Sequence, residues 1–300
     1  MIQQLSRRFA EAPGNLRGVV WMLGATLLFA AMHGAIRHAT QEIHPTEIAF
    51  FRNSLGLLFL SPLFIRYGLT PLRTSRFGLH LLRAMINVVN MIAYYIGLSM
   101  TPLAEATALN FTAPLFTTLL ATVFLGERLR LRRTTALLFG FAGALVVLRP
   151  GMAELNPGHI FVIVSALMWG GIMVMIKVMS RTDSALTITL WMLLLMSVLS
   201  LPPALPFWTW PSAEGWFWLT FIAVTGTLAQ LMITQAIKEA EATSIMPIDF
   251  FRMIWATLIG YLAFSEVPDL FTWLGSAMIF GSATYIAFRE RKLHEETESR

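Results

Sequence analysis

Ala104-Glu105-Ala106-Thr107 and Ala240-Glu241-Ala242-Thr243 are one four-residue phrase written twice in a chain of 300 residues. Each copy opens an apolar run that carries one proline, Pro114 or Pro247, and closes on a loop glutamate, Glu127 or Glu266. A glycine follows each glutamate: Gly143 lies 16 residues after Glu127, and Gly281 lies 15 after Glu266. The register is loose, since Glu105 to Glu127 spans 22 residues and Glu241 to Glu266 spans 25. Phrase, proline, glutamate and glycine in the same order still predict a duplicated unit. In so apolar a chain, a duplication predicts a transporter of two homologous halves.

Composition sets the solvent. The chain is 56% hydrophobic and 13% charged, about half the charge of a soluble domain. It cannot cover its own surface with polar groups, so lipid is its main solvent. Ten apolar runs of roughly 20 residues match a hydrocarbon core of about 30 Å as helices, at 17–36, 46–66, 78–99, 105–125, 133–149, 158–178, 185–203, 214–236, 243–264 and 270–288. Membrane strands would be half as long and would alternate in polarity. The first run has no small-residue cleavage site after it and reads as a retained span. With no cysteine, neither a disulfide framework nor a thiolate metal site is expected.

Lysines and arginines orient the spans. With the N-terminus cytoplasmic, 17 of the 22 fall in inner segments, including Arg128, Arg130, Arg132 and Arg133 after the fourth span. Only Arg37 and Arg149 fall outside, and Arg52, Arg83 and Arg252 lie within spans. Both termini are therefore expected in the cytoplasm. The basic balance is a topology signal and implies no nucleic-acid partner. Five spans per half turn the second copy upside down: the loop after the ninth span, with Glu266 and Asp269, is acidic and outside. The expected fold is an all-α integral membrane protein of two inverted five-helix repeats, 1–151 and 152–300, around a central cavity.

The Arg83 to Leu109 run with its Ala104-Glu105-Ala106-Thr107 phrase, the Pro114 helix ending Leu125-Gly126-Glu127, and Gly143-Ala144-Leu145-Val146-Val147-Leu148-Arg149-Pro150-Gly151 resemble an EamA-type repeat of the drug/metabolite transporter superfamily. Pro247-Ile248-Asp249-Phe250-Phe251-Arg252-Met253-Ile254-Trp255, with Gly260 and Phe264-Ser265-Glu266, resembles the second unit. Within that superfamily the chain is most similar to YddG-type exporters of aromatic and other neutral amino acids. The resemblance implies ten helices and movement of solutes without ATP. It leaves the substrate open among amino acids, purines, S-adenosylmethionine and sugar phosphates.

An ionisable group inside a span costs about 2.5–3.5 kcal/mol, so each one asks for a partner or a wet cavity. Asp249 and Arg252 stand three apart on one helix, just after Pro247. They read either as a cavity-facing pair for a substrate ammonium and carboxylate or as an ion pair that locks the ninth helix. Arg83, Asn87, Asn90, Met91 and Tyr94 form one helical stripe, either a polar wall of the path or a set of interhelical hydrogen bonds. Arg83 and Arg52 read more simply, with Arg83 snorkelling to the cytoplasmic interface. Pro114 and Pro247 are candidate hinges, and Asn110 would reach the same region. Trp169 and Trp255 sit near mid-span as candidate ring-stacking contacts, and Gln230 is a further candidate. Trp208, Trp210, Trp216 and Trp218 read as an interfacial belt. His33 and Asp249, with Glu47, are candidates for proton coupling.

No G-x-S-x-G elbow, H-E-x-x-H pair or G-x-x-x-x-G-K-[ST] loop occurs, so neither hydrolase chemistry nor ATP drive is expected. The expected function is secondary export of small neutral metabolites, aromatic or neutral amino acids first, with no cofactor. Membrane lipid and a small-molecule substrate are the partners. A carrier of another metabolite class and a membrane-embedded enzyme are the alternatives.

Overall fold

The computed structural model describes residues 13–67, 73–126, 131–150, 156–240 and 246–298. Glu127, Arg128, Arg130 and the Glu241-Ala242-Thr243 part of the second phrase lie outside them. Among the described residues the chain is helical without strands: α1 (Gly14–Ala39), α2 (Pro45–Tyr67), α3 (Phe77–Met100), α4 (Leu103–Asn110), α5 (Ala113–Leu125), α6 (Leu131–Leu148), α7 (Pro157–Met179), α8 (Ala185–Leu199), α9 (Leu201–Ala204), α10 (Ala213–Glu239), α11 (Phe251–Phe264) and α12 (Leu270–Glu298). Two 3-10 turns, Leu205–Phe207 and Met246–Phe250, complete it.

Eight segments are long and apolar enough to cross a membrane, counting Leu103–Leu125 as one. Of the two other expected spans, the 23-residue α2 is long enough, and its side chains at 62–67 lie outside the described set. The expected 243–264 helix is broken: a 3-10 turn precedes a 14-residue α11, which alone rises only about 21 Å. The fourth span breaks as well, at Phe111–Thr112 between α4 and α5. Pro114 has no N–H to give the Asn110 carbonyl, so α4 ends there and the proline sits in the first turn of α5.

Helix starts follow side-chain caps. Asn156, Ser184 and Ser212 accept from Gly158, Thr187 and Gly215 N–H groups at 2.8, 3.1 and 3.0 Å. Both halves stop a helix on a left-handed residue just before the loop glutamate: Gly126 (φ 68°) after α5 and Ser265 (φ 55°) after α11. That shared stop is the clearest local echo of the duplication.

Helix pairs recur in matched sets. α1 packs on α10 as α3 packs on α7; α1 meets α11 as α7 meets α5; α2 meets α10 as α8 meets α3. The pairs α6–α12 and α2–α8 are their own counterparts, and α4 also packs on α11. The α6–α12 crossing uses Gly143, but its partner is Gly275 and not Gly281. A Cβ on Gly281 would meet nothing within 4 Å, because α12 presents that side away from its neighbours.

Candidate functional site

The two helix breaks meet in the middle of the bundle. Phe111 follows α4, and Asp249 with Phe250 ends the 3-10 turn before α11. Phe250 and Phe280 of α12 lie 4.8 Å apart between centroids, and Phe111 lies 6.2 and 5.9 Å from them. Arg252 donates to Asp249. Its guanidinium stands 5.4 Å over the Phe29 ring of α1 and 5.8 Å from Phe111. Cation–π contacts of this kind are worth about 0.5–2 kcal/mol. A neutralised ion pair walled by rings suits a flat solute with a polar head.

Beside it, Tyr94 Oη lies 3.4 Å from His33 Nδ1, with the two rings edge to face at 5.0 Å. His33 thus bonds a neighbour on α3. Arg252 and Arg52 both lie within electrostatic reach of His33.

The α3 stripe is buried along its length. Ser165 donates to Asn90 at 2.8 Å, Asn90 donates to Asn87 at 3.3 Å, and Asn87 donates to the Met196 sulfur at 3.0 Å. The chain of bonds ties α7, α3 and α8 together, so these asparagines serve the interhelical reading here. Arg83 corrects the snorkelling expectation. It is 1% exposed and donates to the Ile188 carbonyl at 2.9 Å, because the start of α8 covers it. Glu47 is fully buried and accepts the Thr209 N–H at 2.9 Å, which anchors the 208–210 loop.

Trp169 lies on the same side of α7 as buried Val162 and Ser165, about 180° round the helix from outward-facing Ile160. It is nevertheless 40% exposed, so it borders open space between helices. Pro114 behaves likewise: Thr118 and Ala121, on its face of α5, are buried while it is exposed. Asn110 is half-buried and forms no side-chain hydrogen bond among the described residues. The Trp255 indole Nε1 is buried without a hydrogen bond. Gln230 is exposed on α10 between exposed Leu228 and Leu231; it is not bonded to this group. The Pro247 side chain lies outside the described set. Trp210 is exposed as a belt residue should be, whereas Trp208 packs on Phe50 and Phe51.

Ion pairs join the two halves near both ends. At one end Arg37 pairs with Glu266 and donates to the Thr101 carbonyl, and Glu266 accepts the Leu103 N–H at 2.9 Å. Arg149 pairs with Asp269, and His159 lies 2.9 Å from Glu105. Burial pushes the Asp269 carboxyl up, but the Thr272 N–H and hydroxyl with Arg149 leave it below the usual aspartate value. At the other end Arg17 meets Glu239 at 3.0 Å. Thr74 and His80 both reach Asp183 Oδ2 at 2.7 Å. The Thr74 hydroxyl, and then His80, hold the Asp183 carboxyl below its ordinary range. No spacing marks Phe29, Phe111, Phe250 and Phe280 as walls, since phenylalanine is common in lipid-facing positions.

Two segments, 16–149 and 156–288, each match the EamA-like transporter family. The chain is 32% identical to a riboflavin transporter of Vibrio cholerae over 92% of this chain and 95% of that one. It is 26% identical to an S-adenosylmethionine uptake transporter of Rickettsia bellii over 92% and 94%. A pseudopaline exporter of Pseudomonas aeruginosa is 26% identical over 87% and 93%. A solved crystal structure shares the fold with a TM-score of 0.63 at 20% identity, over 92% of this chain and 98% of its own.

Proposed function

The chain belongs to the EamA-like transporter family, is a multi-pass membrane transporter and not an enzyme, and we propose that it carries a metabolite built on a fused heteroaromatic ring. Two inverted repeats, 1–151 and 152–300, would rock about the Asp249–Arg252 site in alternating access. The doubled family match and the matched helix pairs support that plan. For the ninth span, the 3-10 turn adds about 10 Å to α11, enough to bring ten helices across. The skew of lysine and arginine supports cytoplasmic termini in the inner membrane of a bacterium.

The observation that carries the substrate reading is the Arg252 guanidinium between Phe29 and Phe111, beside Asp249. Stacking on such rings needs a flat ligand. Two relatives are named for S-adenosylmethionine and riboflavin, both of which join a fused nitrogen heterocycle to a hydroxyl-bearing five-carbon unit. Aromatic and other neutral amino acids, the sequence expectation, stay as the second reading, because one acidic and one basic group also match a zwitterion. Direction follows the gradient. His33 and Asp249 are the residues to test for proton coupling.

Counterflow in proteoliposomes decides it, with riboflavin, S-adenosylmethionine, purines, aromatic amino acids and sugar phosphates, with and without a pH gradient. Exchange of a fused-ring solute is expected, lost in Asp249→Asn while the variant still elutes as folded protein. Exchange confined to sugar phosphates, or none for any solute, sinks the reading.

A further inference from the structure

Three arginines lie within the expected spans, and their surroundings differ. Arg252 is neutralised by Asp249. Arg83 is enclosed by protein and held by a backbone carbonyl. Arg52 is neither. It stands seven residues into α2, on the face that also carries Ile48, Ala49, Asn53 and Gly56, all buried. That face looks into the bundle. No carboxylate among the described residues is within ion-pair distance of Arg52.

The guanidinium is fixed at one nitrogen only. Nη1 donates to Asn53 Oδ1 at 3.2 Å and approaches the Met91 sulfur at 3.9 Å. Nε and Nη2 form no hydrogen bond among the described residues and are not sealed in by protein. Across from them α10 has Gly226, where a Cβ would stand 3.6 Å from both nitrogens. The free edge is the Nε/Nη2 fork, the geometry that accepts two carboxylate oxygens at once. Arg52 lies within electrostatic reach of His33 and Tyr95, and Arg252 within reach of His33 and Tyr94. His33 is thus near both cations.

We propose that Arg52 is a carboxylate-binding residue of the transport site, so that the solute carries a carboxylate as well as its ring. Charge arithmetic selects the ligand. The Asp249–Arg252 pair sums to zero, which leaves Arg52 as a single positive charge facing the interior. An unpaired cation there is costly, and one solute carboxylate beside the guanidinium offsets that cost locally, whatever charge the rest of the solute carries. A phosphate dianion would ask for further converging cations that this group of residues does not hold. The assignment rests on the fused-ring reading and narrows it: an amino-acid-bearing nucleoside fits, and a flavin without a carboxylate fits less well.

The test measures binding to the full-length protein in nanodiscs by calorimetry. The probes are S-adenosylmethionine and its decarboxylated analogue, tryptophan and tryptamine, and riboflavin. The carboxylated member of a pair is expected to bind at least about tenfold more tightly. Arg52→Gln should erase that preference while sparing the decarboxylated analogue, and Arg52→Lys should restore part of it. Equal binding within each pair by the unaltered protein, or an unchanged preference in Arg52→Gln, overturns the assignment alone. If Arg52→Gln does not fold, the comparison on the unaltered protein still decides. Failure of every fused-ring probe to bind folded protein overturns the functional reading instead.

Discussion

Gly143 and Gly275 meet backbone to backbone: a Cβ on Gly143 would stand 2.8 Å from the Gly275 carbonyl oxygen, and one on Gly275 would stand 2.5 Å from that of Gly143. In lipid, where close packing holds helices together, this contact seats α6 against α12 and joins the two family-matched segments.

Enlarging either residue must push two backbones apart. Gly143→Val and Gly275→Val are each expected to cost about 1–3 kcal/mol and to lower the melting temperature in detergent. Gly281→Ala enters open space and gains helix propensity, so a change between zero and about 1 kcal/mol of stabilisation is expected. Equal losses at Gly143 and Gly281 would refute the crossing.

Glu266→Gln weakens the latch that holds Arg37 and the Leu103 N–H. Losing about 1.4 kcal/mol of latch energy raises the open population about tenfold. The chain has no cysteine, so a single cysteine at Asn110 reports opening without background. Its reaction with an impermeant maleimide is expected to quicken by about that factor. An unchanged rate means the latch does not control access.

Asp183 makes stability depend on acid. Its folded value lies below its unfolded one, so its contribution is present in full above the ordinary aspartate pKa of about 3.9. It is lost as pH falls through that value towards the folded one. Two hydrogen bonds to a charged group set the scale at about 1.5–3 kcal/mol. Melting curves between pH 7 and pH 3 should show an acid decline that is shallower in Asp183→Asn, which starts from lower stability at neutral pH. Parallel declines in the two proteins would remove the assignment.

The proposed inverted arrangement predicts sidedness. Single cysteines at Gln41, Ser212 and Val267 should react with an impermeant label from outside the cell, and cysteines at Ser75 and Thr182 only after permeabilisation. Labelling of Val267 and Ser75 from the same side would contradict opposite orientations of the two halves.

Much of the site could be read from spacing along single helices. Asp249 and Arg252, three residues apart, do form a pair, and the stripe from Arg83 to Tyr94 is buried on one face of α3. The prolines stand at both breaks, Pro114 in the first turn of α5 and Pro247 in the 3-10 turn before α11. Contacts between helices were far less legible. Glu266 reaches Arg37 and Leu103 across more than 160 residues of chain, and nothing in the neighbourhood of either residue announces it. Arg52 and Arg83 look alike in sequence; their neighbours on α10 and α8 make one open and the other enclosed.

The sequence alone determined that this chain is helical, lies in lipid, repeats a unit and carries an acid–base pair three residues apart, because period, composition and local spacing act within a single helix. Tertiary structure decided which glycines touch, which asparagines bond to each other, which arginine is left facing the interior and which charges latch the ends. Those choices depend on the register and crossing of helices, set jointly by many weak contacts that no one segment encodes.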